Sequence, residues 1–242
     1  MSDLVGNLKT ILEKLKNHNR SYSQLKSDIF DNDNVQLIVE TSGIAKTLYK
    51  SYKFGSMLKF RAFLNGFSMN EDPTQAQLEK LEKYISVDDE KVEFISNFFS
   101  NILLSNSSKA CVIMGTILKD IVDKESVVKH EDLIAINALK EFYDVDIVNF
   151  NIIESVFIDK SEEKIGLTDI LFKIKHNDLD DLSVLMTLDK AAATQLLFVT
   201  TSVDMSTEVN KFENRRKEAD NFYVMTSGGK VLTKYINRIS EL

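Results

Sequence analysis

One proline and eight glycines in 242 residues leave this chain almost nothing with which to build tight hairpins or glycine-rich phosphate loops. The turns of short hairpins need residues that tolerate positive φ, and a nucleotide cradle needs glycines at a helix start. Barrels, sandwiches and most nucleotide-binding α/β folds are disfavoured, and a mainly α protein is expected. The length allows one large domain or two small ones.

Hydrophobic periodicity supports the helical reading. Leu4, Leu8, Ile11, Leu12 and Leu15 recur at the 3.6-residue period, and after the polar patch at 31–34 the spacing resumes through Leu37, Ile38, Ile44, Ala45, Leu48 and Tyr52. It continues from Met57 to Leu64, with Gly55 and Gly66 as expected helix ends. Asp72 as cap, Pro73 at the first helical position and Gln75 behind it predict a helix running to Ile85. Ser86 with Asp89 opens the next, on which Val92, Ile95, Phe98, Phe99, Ile102 and Leu103 form a broad apolar side. Ser107 and Ser108 cap another, bearing Ala110, Ile113, Met114, Ile117, Leu118 and Ile121. A single helix is expected from about 131 to 148.

The charged stretch at 159–166 is the expected division, giving a helical bundle over 1–158 and a second domain over 159–242. Beyond it the sequence predicts helices at about 167–175, at about 178–186, and from an Asp189 cap through Lys190, Thr194 and Gln195 to Leu197. Phe198-Val199-Thr200-Thr201 and Phe222-Tyr223-Val224-Met225 flank a charged excursion and read as a long hairpin. A helix capped by Thr226 closes the chain, with Val231, Leu232, Tyr235 and Ile236 on one face. The two glycines after it, Gly228 and Gly229, allow close packing on the sheet.

This order of three helices, strand, excursion, strand and helix resembles a winged-helix domain. The ending from Tyr223 through Thr226-Ser227-Gly228-Gly229-Lys230 to Ile236 is similar to that superfamily's second wing strand and terminal helix. The resemblance covers about the last 75 residues and implies contacts through Lys190, Thr194 and Gln195 and through the excursion residues Lys211, Arg215, Arg216 and Lys217. The middle segment, including LYKSYKFGSMLKFRAFLNGF and EKVEFISNFFSNILLSNSSKACVIMGTIL, loosely resembles bacterial and prophage proteins of the abortive-infection alpha type. That likeness implies a setting in phage–host conflict, whether defence or anti-defence. Richness in Ile, Lys and Asn, more than a quarter of the chain, fits an AT-rich genome.

The chain carries few residues in the patterns that chemistry needs. His18, His130 and His176 are far apart in sequence and match no metal-ligand spacing. The acidic patch at 31–34 has Val35 and Gln36 where a calcium loop needs an oxygen ligand and a glycine. Gly228-Gly229-Lys230 lacks the first glycine of a phosphate loop, Val224 standing in its place. Cys111 lies among Ala110, Val112, Ile113 and Met114 and reads as a buried thiol. Glu162-Glu163 and Asp180-Asp181 read as solvated faces. No enzyme activity, metal or cofactor is expected.

Charge bounds the partners. The chain carries 30 basic and 37 acidic side chains, net −7, and residues 151–242 hold 12 basic against 15 acidic, net −3. Nucleic-acid binding needs a basic surplus to displace counterions from phosphates. A lone cysteine, an N-terminus without a secretory pattern and no stretch of about 20 apolar residues point to a soluble cytosolic protein. The expectation is a non-enzymatic protein-interaction protein with a protein partner, homo-oligomerisation being open. The alternatives are a winged-helix DNA-binding regulator, which the charge disfavours, and a membrane-acting effector using residues 35–53, where Glu40, Lys46, Lys50 and Lys53 interrupt the apolar pattern.

Overall fold

The computed structural model describes residues 55, 58–69, 74–85, 89–159, 164–175, 179–203 and 219–240. The chain forms two compact units, Met1–Val127 and Val128–Leu242. The division therefore falls about thirty residues before the charged stretch at 159–166, because the helices just upstream of that stretch belong to the second unit.

In the first unit the described helices are α1 (58–68), α2 (Gln75–Ile85), α3 (Asp89–Leu104) and α4 (Ser108–Asp123). The predicted apolar stripes of α3 and α4 are buried, including Ile95, Phe98, Ile102, Ile113, Met114 and Ile117. Phe60 and Phe63 of α1 meet Phe99 of α3 at ring distances of 5.7 and 5.5 Å, which places aromatic contact at the centre of the core. Ser107 caps α4 as expected, its Oγ accepting from the Ala110 N–H at 2.9 Å. Cys111 is buried, its thiol donating to the Ile102 carbonyl at 3.8 Å.

Two local expectations change here. The start of α2 is set by Thr74, whose N–H donates to Gln77 Oε1 at 2.9 Å while the Gln77 N–H donates back to Thr74 Oγ1 at 3.3 Å. In that reciprocal box the side chain three residues on reaches back to the cap; the expected cap Asp72 and Pro73 lie outside the described residues. Gly66 does not end a helix but lies inside α1, where an added Cβ would meet the Val112 carbonyl oxygen at 1.9 Å. Gly115 faces it from α4, where a Cβ would lie 2.2 Å from Phe63 O. The two glycines let the backbones of α1 and α4 touch.

The second unit contains α5 (His130–Glu141), α6 (Asp144–Asp159), β1 (Ile165–Gly166), α7 (Leu167–Ile174), α8 (Asp181–Ala193), β2 (Leu197–Val203), β3 (Ala219–Met225) and α9 (Ser227–Ser240). The strands form one antiparallel sheet in the order β1-β3-β2. Ile165 pairs with Tyr223, and Leu197 pairs with Met225 on the other side. The hairpin read from the sequence is present, and β1 adds a short third strand from within the charged stretch.

The single helix expected over 131–148 is two. Phe142 is extended at ψ 138° and fully buried beside the Phe150 ring at 5.9 Å. The Tyr143 N–H donates to Asp146 Oδ2 at 2.8 Å, and Asp144 and Asp146 supply acid to the first turn of α6. Burying Phe142 and satisfying a helix start together outweigh one more turn of α5. Conversely, the helices expected at 178–186 and from 189 are one, α8. Its cap is Asp180, which accepts from the Ser183 N–H at 2.8 Å, and Asp189 is an exposed interior residue.

Candidate functional site

The most elaborate polar cluster among the described residues lies between α6 and α8. Lys190 of α8 places Nζ 2.5 Å from Oδ2 of Asp146, with side chains 27% and 4% exposed respectively. The other carboxylate oxygen of Asp146 accepts from Thr187 Oγ1 at 2.8 Å. Asn149, one turn along α6, donates to Thr187 Oγ1 at 3.1 Å and to Ser183 Oγ at 2.9 Å. The Lys190 ammonium also lies 4.3 Å from the centre of the Tyr143 ring, within reach of its negative face. A buried carboxylate is tolerated when its oxygens are saturated by donors, and Asp146 has three.

Along this seam residue numbers rise on α6 as they fall on α8: Asp146 meets Thr187 and Lys190, and Asn149 meets Ser183 and Thr187. The two helices are thus antiparallel. On α8 the residues inward of the seam, Val184, Leu188 and Ala191, are buried. The opposite stripe carries Leu182, Met186, Asp189 and Ala193 at helical spacing, all exposed. Leu182 is 64% exposed and Met186 55%, while on α6 Val145 and Val148 are 51% and 42% exposed.

The end of α8 is fixed to the last helix. Gln195 takes φ 65°, its N–H donates to the Ala192 carbonyl at 3.1 Å and the Leu196 N–H donates to Ala191 at 2.8 Å, the paired bonds of a Schellman ending. Thr226 Oγ1 donates to the Gln195 and Leu196 carbonyls at 2.8 and 3.0 Å and accepts from the Gly229 N–H at 3.1 Å. A Cβ on Gly229 would meet Leu196 O at 2.5 Å, and one on Gly228 would meet Ile134 Cγ2 at 2.4 Å. The Thr226-Ser227-Gly228-Gly229 run thus locks α9 to the α8–β2 turn and to α5.

Two ionisable groups of the second unit are shifted. Burial, and then the nearby Asp189 carboxylate, push the Tyr223 phenol up. Burial pushes the Glu154 carboxyl of α6 up.

Comparison with protein-family models, curated proteins and solved structures gives no match.

The residues singled out from the sequence fall in different places. Lys190 belongs to the seam, its ammonium held by Asp146 and Tyr143. Thr194 is buried, its hydroxyl donating to the Lys190 carbonyl at 2.8 Å. Gln195 is exposed in the left-handed turn. Lys211, Arg215, Arg216 and Lys217 lie outside the described residues, as do residues 35–53, His18 and His176. Among the described residues no group of His, Cys, Asp and Glu is arranged to hold a metal, and no helix is long and apolar enough to cross a membrane. Asp146, Asn149 and Tyr143 belong to no chemical motif; their one sequence signal is two polar residues, Asp146 and Asn149, on a helix side otherwise made of Ile147, Phe150, Ile153 and Val156.

Proposed function

We propose that this chain is a protein-interaction protein whose second unit is a winged-helix-like module used to bind a partner protein rather than DNA. The order α6, β1, α7, α8, β2, β3, α9 with β3 central in the sheet supports the winged-helix reading, with α8 in the place of the recognition helix. One observation carries the functional choice. The outward stripe of α8 presents Leu182, Met186, Asp189 and Ala193, whereas its one lysine is engaged by Asp146. A DNA-reading helix needs donors and cations aimed at base edges and phosphates, and an apolar and acidic stripe offers neither. Contiguous exposed apolar side chains are the ordinary mark of a protein contact.

The biological setting, phage–host conflict in the cytosol, rests on the resemblance of the middle segment. The reading is tested by affinity capture from extract with and without nuclease treatment, using the wild-type chain and Leu182→Ser/Met186→Ser. A specific protein retained by the first and lost by the second is expected. Identical captures by both, or capture abolished by the nuclease, would overturn the proposal.

A further inference from the structure

We infer that the outward side of the α6–α8 seam is a docking surface for a basic amphipathic helix of a partner protein. The inference rests on the protein-binding reading of the second unit and names the surface and the chemistry it takes.

The first step is geometric. In two antiparallel helices sharing one buried side, the flanks turned away from that side face the same way. Val145 and Val148 of α6 and Leu182 and Met186 of α8 lie on those flanks, opposite the buried Ile147, Phe150, Val184 and Leu188. They form one apolar strip along the seam. Its floor is stiff, because Asp146, Asn149, Ser183, Thr187 and Lys190 bond the two helices beneath it. A shallow channel between two packed helices accepts a third helix through anchors at i, i+3, i+4 and i+7, and a stiff floor lowers the ordering cost of binding.

The second step is charge. Lys190 is the only basic residue of α6 and α8, and its ammonium is held by Asp146. Against it, α6 contains Asp144, Asp146, Glu154 and Asp159, and α8 contains Asp181 and Asp189. Asp189 sits on the apolar stripe itself, three residues from Met186, and Asp181 stands at its start, both exposed. Such a border repels DNA phosphates and anionic lipid headgroups, and a second copy of the same face would bring like charge against like. An apolar helix edge flanked by Lys or Arg complements both the strip and its border.

The test uses the full chain and a labelled amphipathic peptide of about 18 residues, five helical turns, made of Leu on one face and Lys on the other, read by fluorescence anisotropy. The same pattern with Glu for Lys is the comparator. Saturable binding of the Leu/Lys peptide is expected, weakened tenfold or more by Leu182→Ser/Met186→Ser and also by Asp181→Asn/Asp189→Asn. Leu104→Ser, an exposed apolar position in the first unit, should leave it unchanged. A benzophenone-bearing version of the peptide should crosslink within 145–152 or 182–193, a readout that needs no variant. Equal affinity for both peptides, equal binding by all variants, crosslinks elsewhere, or self-association of the chain that the Leu182→Ser/Met186→Ser pair abolishes would overturn the assignment. Failure of the peptide arm with DNA unbound removes this surface only; salt-sensitive DNA binding removes the protein-binding reading as well.

Discussion

Lys190 Nζ and Asp146 Oδ2 stand 2.5 Å apart across the α6–α8 seam, the carboxylate almost wholly shielded and the ammonium partly open to solvent. The pair converts a lysine that the sequence offers as a DNA contact into a structural tie. Removing one partner leaves the other charge poorly solvated, so its loss is costlier than that of a surface pair. Lys190→Met is expected to destabilise the chain by about 1–3 kcal/mol, below the roughly 3–5 kcal/mol of a fully buried pair because the lysine is part-exposed. A double-mutant cycle with Asp146→Asn checks it: coupling above about 0.5 kcal/mol is expected, and strict additivity would contradict it.

The close crossing of α1 and α4 admits no methyl group. At Gly66 and Gly115 the nearest atoms to an added Cβ are backbone, Val112 O and Phe63 O, which no rotamer change can move. Gly66→Ala and Gly115→Ala should each cost about 1–3 kcal/mol or more, measured as a fall in the denaturant midpoint. Asn65→Ala, an exposed neighbour on α1, should change it little.

Gln195 holds φ 65° at the end of α8, a conformation in which a Cβ is unfavourable. Gln195→Gly is expected to stabilise the protein by up to about 1 kcal/mol, the relief of the left-handed strain being offset in part by glycine's greater freedom when unfolded. A lower thermal midpoint for the variant would contradict this reading of the turn.

Glu154 and Asp123 should give opposite pH signatures. Burial raises the folded-state pKa of Glu154, so its ionisation opposes folding: stability attributable to it is present below the ordinary glutamate pKa and lost as pH rises through the raised value. Glu154→Gln should therefore stabilise at neutral pH, with the gain vanishing in acid. For Asp123 burial raises the pKa, but hydrogen bonds and charge from Lys119 and Lys80 outweigh it and the net shift is downward. Its contribution is present above the ordinary aspartate pKa and is lost as pH falls through the depressed one. Stability-versus-pH curves for Glu154→Gln and Asp123→Asn should bend in opposite directions in the acid range.

The sequence discloses this fold where burial follows a simple period. The stripes of α3 and α4, the Ser107 cap, the β2–β3 hairpin and the Thr226 cap are all legible because apolar spacing and local side-chain bonds suffice to set them. The break at Phe142 is not, since no Gly or Pro marks it and a buried phenylalanine decides it. The fusion of the two expected helices into α8 is missed because Asp189 has the residue type of a cap, whereas Asp180, which reads as part of a solvated acidic pair, is the one that reaches a helix N–H. Glycine scarcity also has a different meaning. Met69, Glu125 and Gln195 take the left-handed positions after helices, while Gly66, Gly115, Gly228 and Gly229 sit where backbones or side chains press closest. The candidate site is the least legible part. Asp146 and Asn149 match no motif, and the exposed face of α8 emerges only once its true limits are known.

The central claim, that α8 presents a protein-binding rather than a DNA-reading surface, is tested most directly by titrating the full chain into labelled duplex DNA at low salt, where phosphate contacts are strongest. No change in anisotropy is expected up to the highest protein concentration. Binding that appears at low salt and weakens steeply as salt is raised would contradict it.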